Sequence, residues 1–203
     1  MPSDNTQAAT NTAPSKPQKD PRRVITPKAR LNFATLFTPR AGMDGGEPVY
    51  SYVLVFEAGT DLTAMKNAAW NAAYEKWGDK AKTMTLRNPF RPNSDREGQS
   101  GFPPGGVFIS CRSKAKPQVV DGAKRPITSP DEIYSGCYVR AAVQAFAYDQ
   151  KGNKGVSFAA GPLQKWEDGE RLDNRITADQ AFEPLPGAEA GPFGGDDEAN
   201  PFG

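Results

Sequence analysis

The chain has 203 residues, with 25 basic side chains, 24 acidic ones and no histidine. This length is typical of one domain with tails, and the lack of histidine excludes Ser–His–Asp and Cys–His nucleophile systems and histidine metal sites. Cys111 and Cys137 are too few for a four-thiolate zinc site, so we expect two reduced, half-buried cysteines and no metal or cofactor. No apolar run resembles a signal peptide or a membrane span, so a soluble protein without membrane contacts is expected.

The two ends of the chain have compositions that do not favour folding. Residues 1–23 are mostly small or polar, and residues 183–203 are mainly Pro, Gly, Ala and acidic residues. Neither stretch has enough large apolar side chains to offset the entropy of ordering, so both are predicted to be disordered. The folded domain is therefore predicted at 24–182.

The net charge of +1 conceals an uneven distribution. The 183–203 tail contains five acidic residues and no basic ones, which leaves 19 acidic against 25 basic residues elsewhere, a net of about +6. A basic body with an acidic tail is typical of proteins that handle polyanions. A solvating tail on an ordinary domain is the alternative.

Two strands are predicted first in chain order. Residues 24–37 alternate after Pro27, and residues 49–56 are β-branched and aromatic. In the first strand the pattern predicts a buried face of Ala29, Leu31, Phe33 and Phe37, opposite a polar face of Lys28, Arg30 and Asn32.

A helix is predicted over residues 60–78, with Thr60 or Asp61 as its cap and Gly78 at its end. Its small apolar side chains predict one face on the core. A second stripe of Trp70, Tyr74 and Trp77 is also predicted to pack in the core, with ligand stacking as the alternative.

The remaining sequence predicts a long loop and more strands. Residues 87–106 form a Pro-, Gly- and Arg-rich loop of the length that is usually functional or mobile. Strands follow at 106–116, 134–149 and 155–166, with a hairpin turn before the last of them. Five or six mostly antiparallel strands with one helix predict a mainly β fold, either a small barrel or a curled sheet.

Two of these strands have one face of small, mostly apolar side chains and one face that mixes aromatic rings with cations. In 134–149 the odd positions are small, whereas the even positions include Tyr138, Arg140 and Phe146; in 106–116 the even positions include Phe108 and Arg112. Bases stack on rings while Lys and Arg neutralise phosphates, so these faces predict a single-stranded nucleic-acid site, unless the helix or the loop covers the rings. The predicted binding residues are Lys28, Arg30, Arg87, Arg91, Phe108, Arg112, Lys114, Lys116, Tyr134, Tyr138, Arg140, Phe146, Tyr148, Lys151 and Lys154.

The stretches ITPKARLNFATLFTP, FEAGTDLTAMK, YSGCYVRAAVQAFAYDQKGNKGVS and LQKWEDGERLDNR together resemble a family of bacteriophage and prophage single-stranded-DNA-binding proteins. The resemblance covers roughly residues 24–182. It implies an OB-fold, a five-stranded antiparallel barrel, that binds single strands without sequence preference and tolerates duplex DNA to some extent. It also implies protection of DNA during phage replication, recombination or repair, in the cytoplasm of the infected bacterial host.

The C-terminal sequence DDEANPFG resembles the acidic tips of bacterial and phage single-strand binders. Those tips end in acid, proline and phenylalanine, and they suggest a tail that recruits replication and recombination proteins. Gly203 departs from the pattern, because it moves the terminal carboxylate one residue beyond the ring. The residues that match the order are Asp196, Asp197, Glu198, Pro201 and Phe202.

The leading hypothesis is thus a non-enzymatic single-stranded-DNA-binding protein. A Mg²⁺-dependent nuclease or a strand-annealing factor is the first alternative, since acidic residues are plentiful although no tight carboxylate cluster stands out. An adaptor protein with no nucleic-acid role is the second alternative.

Overall fold

The computed structural model describes residues 20–41, 45–150 and 152–172. Its one α-helix and its strands follow each other with two short 3-10 turns, at Gly78–Lys82 and Asn93–Arg96. The elements are β1 (Arg23–Ile25), β2 (Ala29–Arg40), β3 (Val49–Phe56), α1 (Thr63–Trp77), β4 (Arg91–Pro92), β5 (Val107–Ser113), β6 (Val119–Val120), β7 (Tyr138–Gln150), β8 (Asn153–Ala159) and β9 (Leu163–Glu167).

Five strands close into a ring. Hydrogen bonds join β2, β3, β5, β8 and β7 in that order, and a further pairing of β2 with β7 closes the circle. This ring with a single helix confirms the predicted mainly β, OB-fold-like architecture. Every pair in the ring is antiparallel except β5 with β8, which are parallel through Cys111 and Phe158. A closed ring with an odd number of strands requires at least one parallel pair, so the predicted mostly antiparallel barrel has its one parallel ring pair here.

The core lies inside the ring and under α1. Inward side chains such as Leu31, Leu54 and Ile109 have no exposed surface. They belong to one cluster with the small-residue face of the helix, which contains Met65, Ala68, Ala69, Ala72 and Ala73. The alanines let the helix backbone approach the sheet closely, and Gly78 ends the helix at φ 56° as predicted.

The aromatic stripe of α1 does not pack as predicted. Trp70 and Tyr74 are 44% and 47% exposed, and their ring centroids lie 6.3 Å apart on the solvent side; only Trp77 packs against the core. With 3.6 residues per turn, Trp70 and Tyr74 lie about 140° and 180° around the helix from the buried Met65. The alanine face already fills the available contact, so the two rings remain outside.

A bulge in β2 reverses the predicted position of Phe33. The register moves from Asn32 opposite Val53 to Thr35 opposite Ser51, so that Phe33 and Ala34 together oppose Tyr52. Phe33 is therefore 50% exposed, whereas Asn32 is buried. The side chain of Asn32 holds the bulge, because its Oδ1 accepts a hydrogen bond from the Phe33 amide at 2.9 Å.

Residues 20–23, which were predicted to belong to the disordered arm, contact the folded domain. The amide of Ala145 donates to the carbonyl of Arg22 at 2.9 Å, and Gln144 donates to Asp20 at 3.2 Å. The rest of the predicted arm, the tail at 183–203 and Lys151 lie outside the described residues.

Both cysteines are free and fully buried. Burial raises the pKa of the Cys111 and Cys137 thiols, so both remain protonated near neutral pH. They are core packing residues, more deeply buried than predicted.

Candidate nucleic-acid interface

The outer face of β2, β3 and β5 presents side chains in three rows across the sheet. Successive residues of a strand point to opposite faces, and the intervening Leu31, Leu54 and Ile109 are in the core, so the rows face outward. The rows are Arg30–Val55–Phe108, Asn32–Val53–Ser110 and Thr35–Ser51–Arg112.

An open pocket of about 260 Å³ lies on the second and third of these rows, and we call it the Phe33 pocket. The exposed ring of Phe33 forms part of its wall, with the Cζ atom of Arg96 5.9 Å from the ring centroid. The lining residues are Phe33, Ser51, Tyr52, Val53, Arg96, Ser110, Cys111 and Arg112. None of them is acidic, and in the described part of the chain neither Arg96 nor Arg112 forms an ion pair.

Two further pockets adjoin each other at the end of the first row, and both are lined by Arg30, Val55, Glu57 and Tyr138. We call them together the Arg30 pocket. The ring of Phe102 lines one of them and also lies 6.1 Å from the ring of Phe33. The aromatic and cationic surface is therefore continuous from the Phe33 pocket to the Arg30 pocket.

Arg30 has an unsatisfied donor in this groove. Its Nη2 donates to the carbonyl oxygen of Glu170 at 3.1 Å, but its Nε is buried and has no hydrogen-bond partner among the described residues. A buried guanidinium N–H without an acceptor is costly. The Arg30 side chain as a whole is 19% exposed, so a phosphate or base oxygen can approach the outer part of its guanidinium.

Acidic side chains at the end of β9 and just after it lie at the edge of the Arg30 pocket. Glu167 forms an ion pair with Lys28, and this hydrogen bond raises the pKa of the Lys28 amine. The Lys28 amine also lies 4.5 Å from the centre of the Tyr138 ring. Lys28 is thus held over Tyr138 with its charge partly compensated.

The 87–106 loop covers the ring of Phe108, which was predicted to stack on bases. Phe108 has no exposed surface, because Phe102 packs edge-to-face on it at 5.3 Å and the Arg91 guanidinium lies 5.2 Å from its ring centroid. Phe108 therefore packs beneath the loop, and its ring is not available for base stacking. The same loop supplies Arg96, a residue that the predicted site omitted.

The outward side chains of β7 lie in two separate places along the strand. Its inward positions Val139, Ala141, Val143 and Ala145 are buried, which confirms the predicted alternation. Outward, Tyr138 borders the Arg30 pocket, whereas Phe146 lies eight residues further along, at about 27 Å for an extended strand. The two ends of β7 therefore cannot belong to one compact site.

Other predicted residues do not line these pockets. Tyr134 packs under Arg171, whose Cζ is 3.9 Å from the ring centroid. Burial, together with a hydrogen bond to Asp168, raises the pKa of the Tyr134 hydroxyl to about 12. Lys114 pairs with Glu47 beyond β5. The others are Lys116 near Phe37, Arg91 paired with Asp95, and Arg87, Tyr148 and Lys154 near the start of β8.

Of the predicted residues, the structure thus gathers Lys28, Arg30, Arg112 and Tyr138 in one groove. It adds Phe33 and Arg96 to them. The sequence signal for Phe33 was weak, since the bulge that exposes its ring depends on the register with β3. No group of three His, Cys, Asp or Glu side chains within 20–41, 45–150 and 152–172 is placed to hold a metal ion. No helix in the same ranges is long and apolar enough to span a bilayer.

Comparison with known proteins identifies the relatives of this chain. The sequence model of the family described as Enterobacter phage Enc34, ssDNA-binding protein matches residues 22–192. A putative protein p50 of Acyrthosiphon pisum secondary endosymbiont phage 1 is 31% identical over 173 residues, which cover 79% of this chain and 92% of that protein.

Two solved structures share the fold. The single-stranded DNA-binding protein from bacteriophage Enc34, in complex with ssDNA, superposes with a TM-score of 0.62 at 22% identity over 81% of this chain and 99% of that one. Gp2.5, a single-stranded DNA binding protein encoded by bacteriophage T7, gives 0.54 at 13% identity over 78% and 91%. The match of the family model over most of the chain shows that this protein belongs to the Enc34 phage ssDNA-binding family.

Proposed function

We propose that the chain binds single-stranded DNA without sequence preference along the groove formed by the Phe33 and Arg30 pockets. Family membership supports a phage single-stranded-DNA-binding function. The observation that carries the proposal is the Phe33 pocket, where a half-exposed ring lies beside two arginines that have no acidic partner among the described residues. OB-folds commonly bind oligonucleotides on this face of the sheet.

The side chains of the groove account for binding without sequence selection. A ring such as Phe33 offers a flat apolar surface that any base can cover, while Arg96 and Arg112 are placed to neutralise phosphates. The serine hydroxyls of Ser51 and Ser110 both donate and accept hydrogen bonds, so they do not select one base edge. The groove therefore reads the chemistry of a single strand and not its sequence.

The first prediction concerns affinity and salt. We expect a dT oligonucleotide to bind at low salt, with log K falling against log[salt] at about −0.7 per phosphate contact, or near −2 if Arg30, Arg96 and Arg112 each neutralise one phosphate. Fluorescence anisotropy at several salt concentrations measures both quantities. Equal affinity for dT, dC and mixed sequences is expected, and the lack of binding at low salt would refute the proposal.

We further propose that the protein acts without catalysis in the cytoplasm of the infected host, protecting single strands in phage replication, recombination or repair. Labelled DNA should remain intact on incubation with the protein and Mg²⁺. Mg²⁺-dependent degradation would favour the nuclease alternative, and faster pairing of complementary strands would favour an annealing factor. Binding to duplex DNA in the same titration tests the tolerance that the family resemblance implies.

The acidic tail is proposed to serve partners and to compete with DNA. Asp196, Asp197 and Glu198 form an acidic cluster that can cover cations of the groove, and Phe202 provides an anchor for a replication or recombination protein. The support for this proposal is the charge difference between the tail and the remaining chain.

Deletion of residues 183–203 is therefore expected to leave dT binding unchanged or tighter, because a polyanion that competes for the cations has been removed. Anisotropy titrations of the full and shortened chains at the same low salt make the comparison. A tail with Asp196, Asp197 and Glu198 replaced by Asn, Asn and Gln is the matched control, and it should behave like the deletion. Weaker binding after deletion contradicts the competition model.

A further inference from the structure

We propose that Trp166 is a base-stacking residue, and that a bound single strand continues from the Arg30 pocket across Tyr138 onto the pair formed by Trp166 and Arg140. This inference rests on the proposed function, since it extends the same strand beyond the groove. The ligand is a single-stranded nucleic acid longer than the groove itself. Neither residue belongs to the pockets described above.

The backbone turns Trp166 outward. In the pairing of β7 with β9, Val139 is opposite Lys165 and Tyr138 is opposite Glu167, so Trp166 is an extra residue in a β-bulge. Bulges redirect a side chain and are enriched next to functional sites. The indole is 55% exposed, which makes it more exposed than the ring of Phe33.

Arg140 supplies a positioned charge beside this ring. Its Cζ lies 5.6 Å from the Trp166 ring, and its Nε donates to the Gln164 side-chain oxygen at 2.8 Å. The amide of Gln164 is itself fixed, because its nitrogen donates to the carbonyl oxygens of Asp121 and Gly122. No carboxylate in the described part of the chain pairs with Arg140, so its charge is available to a phosphate.

The pair is continuous with the groove. Tyr138 and Arg140 are two residues apart on the outer face of β7, about 7 Å along the strand. Tyr138 lines the Arg30 pocket on one side and is opposite Glu167, the neighbour of Trp166, on the other. Phe33 at the other end of the groove is also an exposed ring in a bulge, so the same backbone feature occurs at both ends of the proposed track.

The exposed ring of Trp70 on α1 gives a matched comparison. Trp70 is 44% exposed and its ring lies 6.3 Å from that of Tyr74, but none of the residues that line the pockets lies on the helix. The chain has three tryptophans, so single-tryptophan variants report on each position separately. The double variant W70F/W77F leaves Trp166, and W77F/W166F leaves Trp70.

The experiment titrates both variants with dT oligonucleotides of about 4 to 16 nucleotides, the range of site sizes of OB-folds. We expect the Trp166 emission to be quenched by the longer oligonucleotides and unaffected by the shortest, and the Trp70 emission to be unaffected by any. In the otherwise natural chain, Trp166→Ala should weaken binding of the longest oligonucleotide about tenfold and leave the shortest unchanged, whereas Trp166→Phe retains most of the affinity. These affinity measurements do not depend on the Trp77 substitution.

The inference is overturned if dT binds normally by anisotropy while the Trp166 emission does not respond and Trp166→Ala loses nothing at any length. In that case the proposed function remains supported. If no oligonucleotide binds at all, the proposed function fails together with the inference. A change in the sedimentation of Trp166→Ala with unaltered DNA binding also overturns it, since it assigns the exposed indole to a protein contact.

Discussion

Phe33→Ala is expected to weaken dT binding by about 1–3 kcal/mol, on the order of five- to 150-fold, because it removes a base-stacking ring from the Phe33 pocket. The salt dependence should not change, since no charge is removed. Anisotropy titrations at two salt concentrations measure both quantities. Tyr74→Ala is the matched control: it removes a ring of similar exposure from α1, and it should leave dT binding unaltered.

The backbone at Phe33 allows binding to be separated from folding. Phe33 has φ 45°, a left-handed conformation that is strained for residues with a side chain and unstrained for glycine. Phe33→Gly should therefore lose as much affinity as Phe33→Ala while being more stable by about 1 kcal/mol. Urea unfolding of both variants tests the stability difference.

A platform retained at the expense of strain is typical of functional positions. If Phe33→Ala binds dT as tightly as the natural chain, the Phe33 pocket is not the interface. If Phe33→Ala loses affinity because it unfolds, the affinity of Phe33→Gly decides the question, because that substitution relieves the backbone strain.

The alternation of residues made the inner faces predictable. Most of the small odd positions of β7 are buried as expected, and so are Ile109 and Cys111 of β5, because a strand with one face on a core must place every second side chain there. The same strands with one helix predicted either a small barrel or a curled sheet, and the structure is the closed form. These features depend on residue type at a fixed period, which a sequence displays directly.

The exposed rings could not be predicted in the same way. Phe33 and Trp166 both lie in bulges, where an extra residue breaks the alternation, and the register shift depends on the partner strand. Conversely, Phe108 has the expected outward position but is covered by Phe102 from a loop. Whether a ring is open thus depends on contacts between distant segments, which a local pattern does not contain.

Arg30→Met is expected to weaken dT binding by about 2 kcal/mol, roughly 30-fold, because charge-assisted hydrogen bonds to a phosphate or base are lost. The slope of log K against log[salt] should become less steep by about 0.7, the share of one phosphate. Methionine retains much of the apolar stem, so packing around Val55 and Tyr138 is largely kept.

Arg30→Lys separates charge from geometry. A lysine retains the positive charge and hence the salt slope, but it lacks the planar fork of donors, so affinity should fall by an intermediate amount. Glu170→Gln is the complementary change. It removes the carboxylate 3.5 Å from the Arg30 guanidinium and keeps the carbonyl contact, so binding should be equal or tighter.

The stability of Arg30→Met distinguishes a binding role of Arg30 from a structural one. If the guanidinium stabilised the free protein, Arg30→Met would lower the free energy of unfolding by several kcal/mol. We expect a loss of no more than about 1 kcal/mol, because the substitution also removes a buried donor that has no acceptor among the described residues. Urea unfolding with and without a saturating dT oligonucleotide distinguishes the two, since ligand-dependent stabilisation should shrink in Arg30→Met while the free protein changes little. Unchanged affinity together with an unchanged salt slope would place Arg30 outside the interface, and its role would then be in the fold alone.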